Sequence, residues 1–197
     1  MKDTFLVGVD EVGRGPLAGP VAVGVVMAPP GFDMGVLSGV RDSKQMSELG
    51  REIWFETLRR LEVEAGVRHV VQFSSATFID THGIVPAIKS AIARGLRSLA
   101  VDPAQTHILL DGSLKAPRYF VSQETIIRGD ETEPLISLAS VAAKVRRDQL
   151  MRRLDLRYPL YGFDVHKGYG TKAHRDLIQK HGVCAIHRKT FCHIDTK

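Results

Sequence analysis

The sequence predicts an α/β domain: a mixed β-sheet flanked by helices, with a small helical extension at the C-terminal end. Three observations predict it. Short apolar, β-branched runs come first and segments of helical periodicity are interleaved later. The chain has 197 residues, and a domain of that size buries about 70% of its unfolded surface, so it needs no disulfide or structural metal to fold. Apolar residues make up 44% and charged residues 25%, a globular balance that argues against disorder.

The elements follow in order. Residues 5–9 are short, apolar and β-branched and read as a buried strand. Residues 20–27 read as a second, since proline is tolerated at the first position of a strand. A Pro/Gly loop over 28–35 precedes a helix over 47–64, with Leu49, Ile53, Leu58 and Leu61 as inward positions. Residues 67–73 form a third strand. In the helix over 84–100, Ile84, Ile88, Ala91, Ile92, Leu96 and Leu99 make one apolar stripe, and Pro86 fits its first turn. Residues 107–110 form a fourth strand ending at Asp111-Gly112, and 124–128 a fifth ending at Gly129-Asp130. A long helix with a basic outer face runs from 134 to about 157. The remainder mixes Gly, Pro, Tyr and His, with one helix near 172–181. No repeat or linker interrupts the chain, so residues 1–197 read as a single catalytic-sized domain whose part from about 158 forms the extension.

Several classes are excluded. The longest nearly apolar stretch, 20–30, is too short to span a bilayer. The N-terminus runs straight into a strand, leaving no room for a signal peptide. Two cysteines, Cys184 and Cys192, make no disulfide framework, so a cytoplasmic location is expected. Lys and Arg total 27 against 22 Asp and Glu, a net +5, and the pI is near 9.4. This balance suits a polyanionic partner, although its placement matters more than its size.

Acid arrives at or near the ends of three strands: Asp10-Glu11, Asp111 and Asp130. Clefts form at such sheet edges. Crowding four carboxylates is electrostatically costly unless some stay protonated or a divalent cation sits among them. Oxygen-only ligands favour Mg²⁺ or Mn²⁺ over Zn²⁺. Asp10 and Glu11 are adjacent and would face opposite sides of a regular strand, so both serve one site only if the strand ends or bulges there, as Gly13 and Gly15 allow. Read singly, an acid such as that of Asp111-Gly112 is better explained as starting a turn or capping a helix; it is the four together that raise the metal reading.

Residues 10–19 read D-E-V-G-R-G-P-L-A-G. This is neither a dinucleotide fingerprint nor a Walker loop, because Gly15 and Gly19 are one residue too far apart and no Gly-Lys-Ser/Thr follows. Two glycines let the backbone approach a ligand, and Arg14 between them can hold a phosphate; taken alone, the loop is better read as a tight turn with a solvated arginine.

The stretch G-V-D-E-V-G-R-G-P-L-A-G-P-V (8–21) resembles the opening signature of the type 2 ribonucleases H, the ribonuclease HII family. D-S-K (42–44), L-D-G (110–112), Gly129-Asp130 followed by S-L-A-S-V-A-A-K (137–144) and Arg147-Asp148, Tyr158-Pro159, H-K-G-Y-G-T (166–171) and I-H-R-K-T-F (186–191) are similar to its later motifs, in order. The resemblance implies an RNase H-like fold and a metal-dependent endonuclease. The acidic tetrad would be Asp10, Glu11, Asp111 and Asp130, catalytic and metal-ligating, with Mg²⁺ or Mn²⁺ as cofactor. It implies that Gly13-Arg14-Gly15 reads the ribose 2′-OH, that Tyr169 stacks on the neighbouring deoxyribose and that Lys44 holds a phosphate. The expected partners are RNA–DNA hybrid and duplex DNA containing single ribonucleotides, cut on the 5′ side of the ribonucleotide to leave 3′-OH and 5′-phosphate ends. No membrane partner and a monomeric state are expected. A non-catalytic hybrid-binding module, or a DNA-directed phosphodiesterase of the same fold, are the alternatives; the intact acidic set speaks against the first, the G-R-G loop and Tyr169 against the second. Val12 and Leu138 stand where alanine is usual, Arg128 replaces a common lysine, and His82-Gly83-Ile84 lacks an asparagine; none removes a carboxylate. The G-R-G loop and the early first strand favour this family over ribonuclease HIII, which has a G-K-G loop and an added N-terminal domain.

Of the basic residues on the long helix, Lys144 is the candidate phosphate ligand, being nearest the motif, and Asp148 reads as a structural ion-pair partner. Cys184, His187, Cys192 and His193 lack the spacing of a standard zinc site. His174 and His181 read as surface or loop histidines, and His166 as the one placed beside a substrate loop.

Overall fold

In the computed structural model, which describes residues 4–192, the chain opens with an antiparallel pair, β1 (Phe5–Val12) and β2 (Val21–Ala28). A 3-10 turn, Met34–Leu37, and helix α1 (Glu48–Glu64) lead to β3 (Arg68–Ser74), antiparallel to β2. Helices α2 (Ala76–His82) and α3 (Ile84–Ser98) precede β4 (Thr106–Asp111), parallel to β1, and β5 (Gln123–Ile126), parallel to β4. The sheet order is β3-β2-β1-β4-β5. A single helical turn, α4 (Gly129–Thr132), the long α5 (Pro134–Arg157), and the short α6 (Phe163–His166), α7 (Lys172–His181) and α8 (Lys189–Cys192) complete the chain. No helix among the described residues is long and apolar enough to cross a membrane.

The period-two alternation of β1 sorts its side chains between two cores. Val7 and Val9 pack with the α3 stripe of Ile88, Ala91, Ile92 and Leu96. Leu6 turns to the other face, beneath α1 and α5. On that second face two glycines set the spacing. A Cβ at Gly24 would lie 2.1 Å from the Ala139 carbonyl oxygen, and one at Gly8 2.3 Å from the Leu135 carbonyl carbon. The α5 backbone therefore rides directly on β1 and β2, which brings Ser140 against the tip of β1.

Some expectations are corrected. Among the inward positions expected in α1, Leu49 and Ile53 are 71% and 58% exposed, while Phe55, Leu58 and Leu61 face the core. Phe55 lies round the helix from Ile53, and burial follows the Phe55 side. The α2 helix is an element the sequence pattern does not predict; Ser75 starts it, its hydroxyl accepting the Phe78 amide hydrogen. β1 neither ends nor bulges at Asp10. It runs on to Val12 in unbroken register with β2.

The C-terminal extension closes over the glycine-rich loop. The amides of Leu17 and Ala18 donate to the Gly168 carbonyl at 2.9 and 3.3 Å, Gly19 donates to Ile186 at 2.8 Å, and Ala18 bridges to His187. A Cβ at Gly168 (φ +86°) would sit 2.3 Å from the Ala18 carbonyl oxygen, so the close approach of the two loops requires glycine there.

Candidate active site

The sheet pairing places the adjacent acids Asp10 and Glu11 beside a free strand edge. Parallel pairing of β1 with β4 stops at Val9 and Leu110. Beyond it the tip of β1 stands free on that side, with Asp10 turned toward α5 and Glu11 toward the opposite face, and Asp111, at the end of β4, acts electrostatically on both. Asp130 comes from farther on than a strand end. β5 stops at Ile126, Arg128 adopts φ +58°, and Asp130 lies in the turn of α4. Its amide donates to Asp111 Oδ1 at 3.2 Å, and the Ser137 hydroxyl donates to its carbonyl at 2.7 Å.

The cluster is short of positive charge. Asp10 is buried, and burial followed by repulsion from Glu11 pushes its carboxyl well above the usual range, with a hydrogen bond to Ser140 acting against them. Burial also raises Glu11, partly offset by the Arg14 guanidinium 3.3 Å away. Asp111 is raised by burial and by the nearby Asp130 charge. The ammonium of Lys44 lies 3.3 Å from Asp130 and 3.9 Å from Asp42. Partial burial disfavours its charge, but Asp42 and Asp130 outweigh that and raise its pKa. In the present side-chain positions no group of three or more His, Cys, Asp or Glu among the described residues is drawn close enough to hold an ion. The donor set itself, four oxygen ligands in a partly buried and negatively charged site, fits a hard divalent cation.

The glycine-rich loop is held by two buried arginines to which the sequence motifs assign no role. Arg188 donates to the carbonyls of Gly13 (2.6 Å), Arg14 (2.8 Å) and Gly19 (2.9 Å). Arg147 donates to Pro20 (2.9 Å), Lys167 (2.9 Å) and Ala18 (3.2 Å). Neither has a carboxylate at ion-pair distance among the described residues, and burial with Arg147 nearby lowers Arg188 to about 9. Gly13 has φ +88°, and a Cβ there would strike Arg147 Nε at 2.2 Å. Gly15 faces open space, where a Cβ would meet no atom within 4 Å, and Arg14 is exposed toward Glu11. Tyr169 is 42% exposed, with the Arg147 guanidinium 5.8 Å from its ring centre.

Lys144 is engaged within its own helix. Its ammonium pairs with Asp148 at 2.8 Å and its side chain is only 16% exposed. Asp148 is the ion-pair partner its position implied. Ser43 and Ser140, hydroxyls 2.8 Å apart beside Asp10, are functional candidates that sequence reasoning missed; their only signal is membership of the D-S-K and S-x-x-A-K blocks.

The histidines are corrected too. His174 and His187 are buried. His187 Nδ1 accepts the Cys184 amide hydrogen, His174 Nδ1 donates to the Tyr169 carbonyl, and the two Nε2 atoms meet at 3.1 Å. One Nε2 must donate and the other accept, so both rings are neutral. His166 bonds Tyr161 and Gly168 at 2.7 and 3.1 Å and stacks on His174; it shapes the loop. The zinc reading is not supported among described residues, and His193 lies outside them. Burial, then the repulsion a protonated His174 would exert, lowers His187 to about 4 from 6.5, and burial lowers His174. The unfolded chain therefore binds protons that the fold refuses as pH falls from 6.5 toward 4, and stability is lost through that window. The raised carboxylates titrate in the opposite sense, so the effect is read as a difference: wild type should melt above His187→Asn at neutral pH and lose that margin on acidification. A margin independent of pH contradicts it.

The same chain has clear relatives among known proteins. The model of the family described as ribonuclease HII matches residues 7–194. A ribonuclease HII of Endomicrobium trichonymphae is 42% identical over 184 residues, 93% of this chain and 83% of that protein. Among solved structures, the structure of the PCNA:RNase HII complex from Archaeoglobus fulgidus includes a chain that superposes with a TM-score of 0.76 at 23% identity, covering 94% of both chains. Bst-RNase HIII in complex with Mn²⁺ superposes at 0.65 with 17% identity, covering 91% of this chain and 63% of that one. The two structural likenesses establish an RNase H-like fold.

Proposed function

The chain belongs to the ribonuclease HII family, a ribonuclease H-type endonuclease acting on RNA–DNA hybrids, and we propose that Asp10, Glu11, Asp111 and Asp130 are its catalytic, metal-holding carboxylates. What supports this reading is that the four acids lie at the ends of β1 and β4 and on α4, and that Asp10, Glu11 and Asp111 are raised first by burial and then by the charge of neighbouring members of the set. Mg²⁺ or Mn²⁺ held there would lower the pKa of the attacking water and take up charge on the leaving 3′ oxygen.

The chain's own residues do the rest. Ser140 orients the Asp10 carboxylate. Arg188 holds the carbonyls of Gly13 and Arg14 and Arg147 holds those of Ala18 and Pro20 farther along the loop, so that the Gly13-Arg14-Gly15 backbone is fixed to read a ribose 2′-OH, the group that separates RNA from DNA. Lys44 is exposed at 72% of its side chain while reaching Asp130, which suits a cation that turns to a phosphate when substrate arrives. Tyr169 packs on the following sugar and excludes one bearing a 2′-OH. The substrates are long hybrids and duplex DNA with a single embedded ribonucleotide, cut on its 5′ side. We read the molecule as a single cytoplasmic catalytic domain acting as a monomer.

A duplex carrying one ribonucleotide, incubated with Mg²⁺ or Mn²⁺ beside an all-DNA control, tests this. Incision only at the ribonucleotide is expected. No incision sinks the activity, and equal cutting of the control sinks the RNA specificity. Tyr169→Ala should lose about tenfold or more at the single ribonucleotide, the scale of a lost stacking contact, and less on a long hybrid. Equal losses on both would remove the junction role of Tyr169.

A further inference from the structure

A second basic surface leads away from the site, formed by the connection between β4 and β5 together with α3. Its first part is a small cleft lined by Arg14, Lys89, Ser113 and Lys115. Lys89 and Lys115 also line a larger open groove of about 720 Å³, with Arg118, Gln123 and Thr125. Among the described residues no acidic side chain lines either part. Among the same residues, Lys89, Lys115 and Arg118 make no ion pair, unlike Arg128, Arg152 and Lys172, which each hold a neighbouring carboxylate.

The connection that carries two of these cations is built to present them. It begins directly after Asp111 and has no regular secondary structure, yet it is tied down along its length. The Ala116 amide donates to Gln123 Oε1 at 2.9 Å, Gln123 Nε2 donates to the Phe120 carbonyl at 2.6 Å, and Thr125 Oγ1 donates to the Leu114 carbonyl at 3.1 Å. Leu114, Ala116 and Phe120 are buried in the α3-side core, while Lys115 and Arg118 between them are exposed. Buried anchors alternating with outward cations fix the positions of those charges before any ligand binds, and so reduce the ordering cost of binding.

We propose that Lys89, Lys115 and Arg118 form a phosphodiester-backbone track, taking substrate phosphates beyond the nucleotides at the cut. The proposal rests on the reading of the substrate as a nucleic-acid duplex. The ligand class follows from the chemistry: a row of unpaired cations in an open, acid-free groove, continuous with the scissile site through Arg14 and Asp111, matches a regularly spaced polyanion. The contacts are to phosphates and carry no sequence information.

The test uses the full chain and the double substitution Lys115→Gln with Arg118→Gln, both in exposed positions, with melting temperature checked against wild type. Affinity for a duplex with one ribonucleotide is measured across a salt series. Each phosphate contact contributes about 0.9 to the slope of log K against log salt for B-DNA, so the slope should become shallower by about 1 to 2. KM should rise at moderate salt while kcat stays within about twofold, as expected when uniform binding is removed. Truncating the duplex on one side of the ribonucleotide, but not on the other, should erase the difference between variant and wild type. An unchanged slope and KM, in a protein whose wild type binds and cuts the duplex, overturns the track. A wild type that neither binds nor cuts the duplex overturns the reading of the substrate instead.

Discussion

Asp10→Asn is expected to lower the cleavage rate by at least ~100-fold, the scale on which removing one group that stabilises transition-state charge slows an active site, while hybrid binding is kept. The structure adds a second readout. Asp10 is buried beside Glu11 and within the field of Asp111, and its carboxyl is raised well above the usual range. An uncharged amide of the same shape relieves that repulsion and can still accept from Ser140. The variant should therefore melt no lower than wild type in the absence of divalent ions, and higher as pH rises into the range where Asp10 ionises. Added Mn²⁺ should stabilise wild type more than the variant, because an ion that binds only the folded state raises its stability by mass action. A variant that loses binding and melts much lower would make Asp10 structural.

Arg188→Met is expected to have the second large effect. The guanidinium supplies donors to three loop carbonyls, at Gly13, Arg14 and Gly19. Methionine approximates the stem and supplies none of them. Each buried polar group left unsatisfied costs about 1–3 kcal/mol, so a loss of several kcal/mol is expected, concentrated in the loop. Hydrogen exchange should rise over residues 13–19 and cleavage should fall with it. Arg188→Lys retains a charge but not the three-way fork, and should fall between the two. Unchanged exchange in the loop with full activity would contradict the clamp.

The contrast between these two residues shows what is legible in the sequence. Asp10, Glu11 and Asp111 can be picked out because apolar runs stop beside them, a local pattern. Asp130 looks the same, but a left-handed Arg128 follows an early strand end and places it on a helical turn. Arg188 and Arg147 cannot be read this way. A charged residue reads as solvated unless its partners are known, and here the partners are backbone carbonyls far along the chain. Arg147 bonds Pro20 across 127 positions and Arg188 bonds Gly13 across 175. The same holds for His174 and His187, whose tautomers are fixed by each other and by the carbonyl of Tyr169. In α1, Leu49 and Ile53 satisfy an inward periodicity as well as Phe55 does. The choice between the two sides comes from the position of α5, which Gly8 and Gly24 admit against the sheet.

The central claim is that the four carboxylates direct a metal-assisted attack of water on the phosphodiester, with the ribose 2′-OH recognised and not used as the nucleophile. The chemistry of the cut ends tests it most directly. A labelled duplex with one ribonucleotide is digested in Mn²⁺ and, in parallel, with excess chelator, and the ends are identified by mass. The expected products are a 3′-OH and a 5′-phosphate on the 5′ side of the ribonucleotide, formed only with the metal. A 2′,3′-cyclic phosphate, or cutting that persists in chelator, would mean that the 2′-OH attacks and the carboxylates do not do this work.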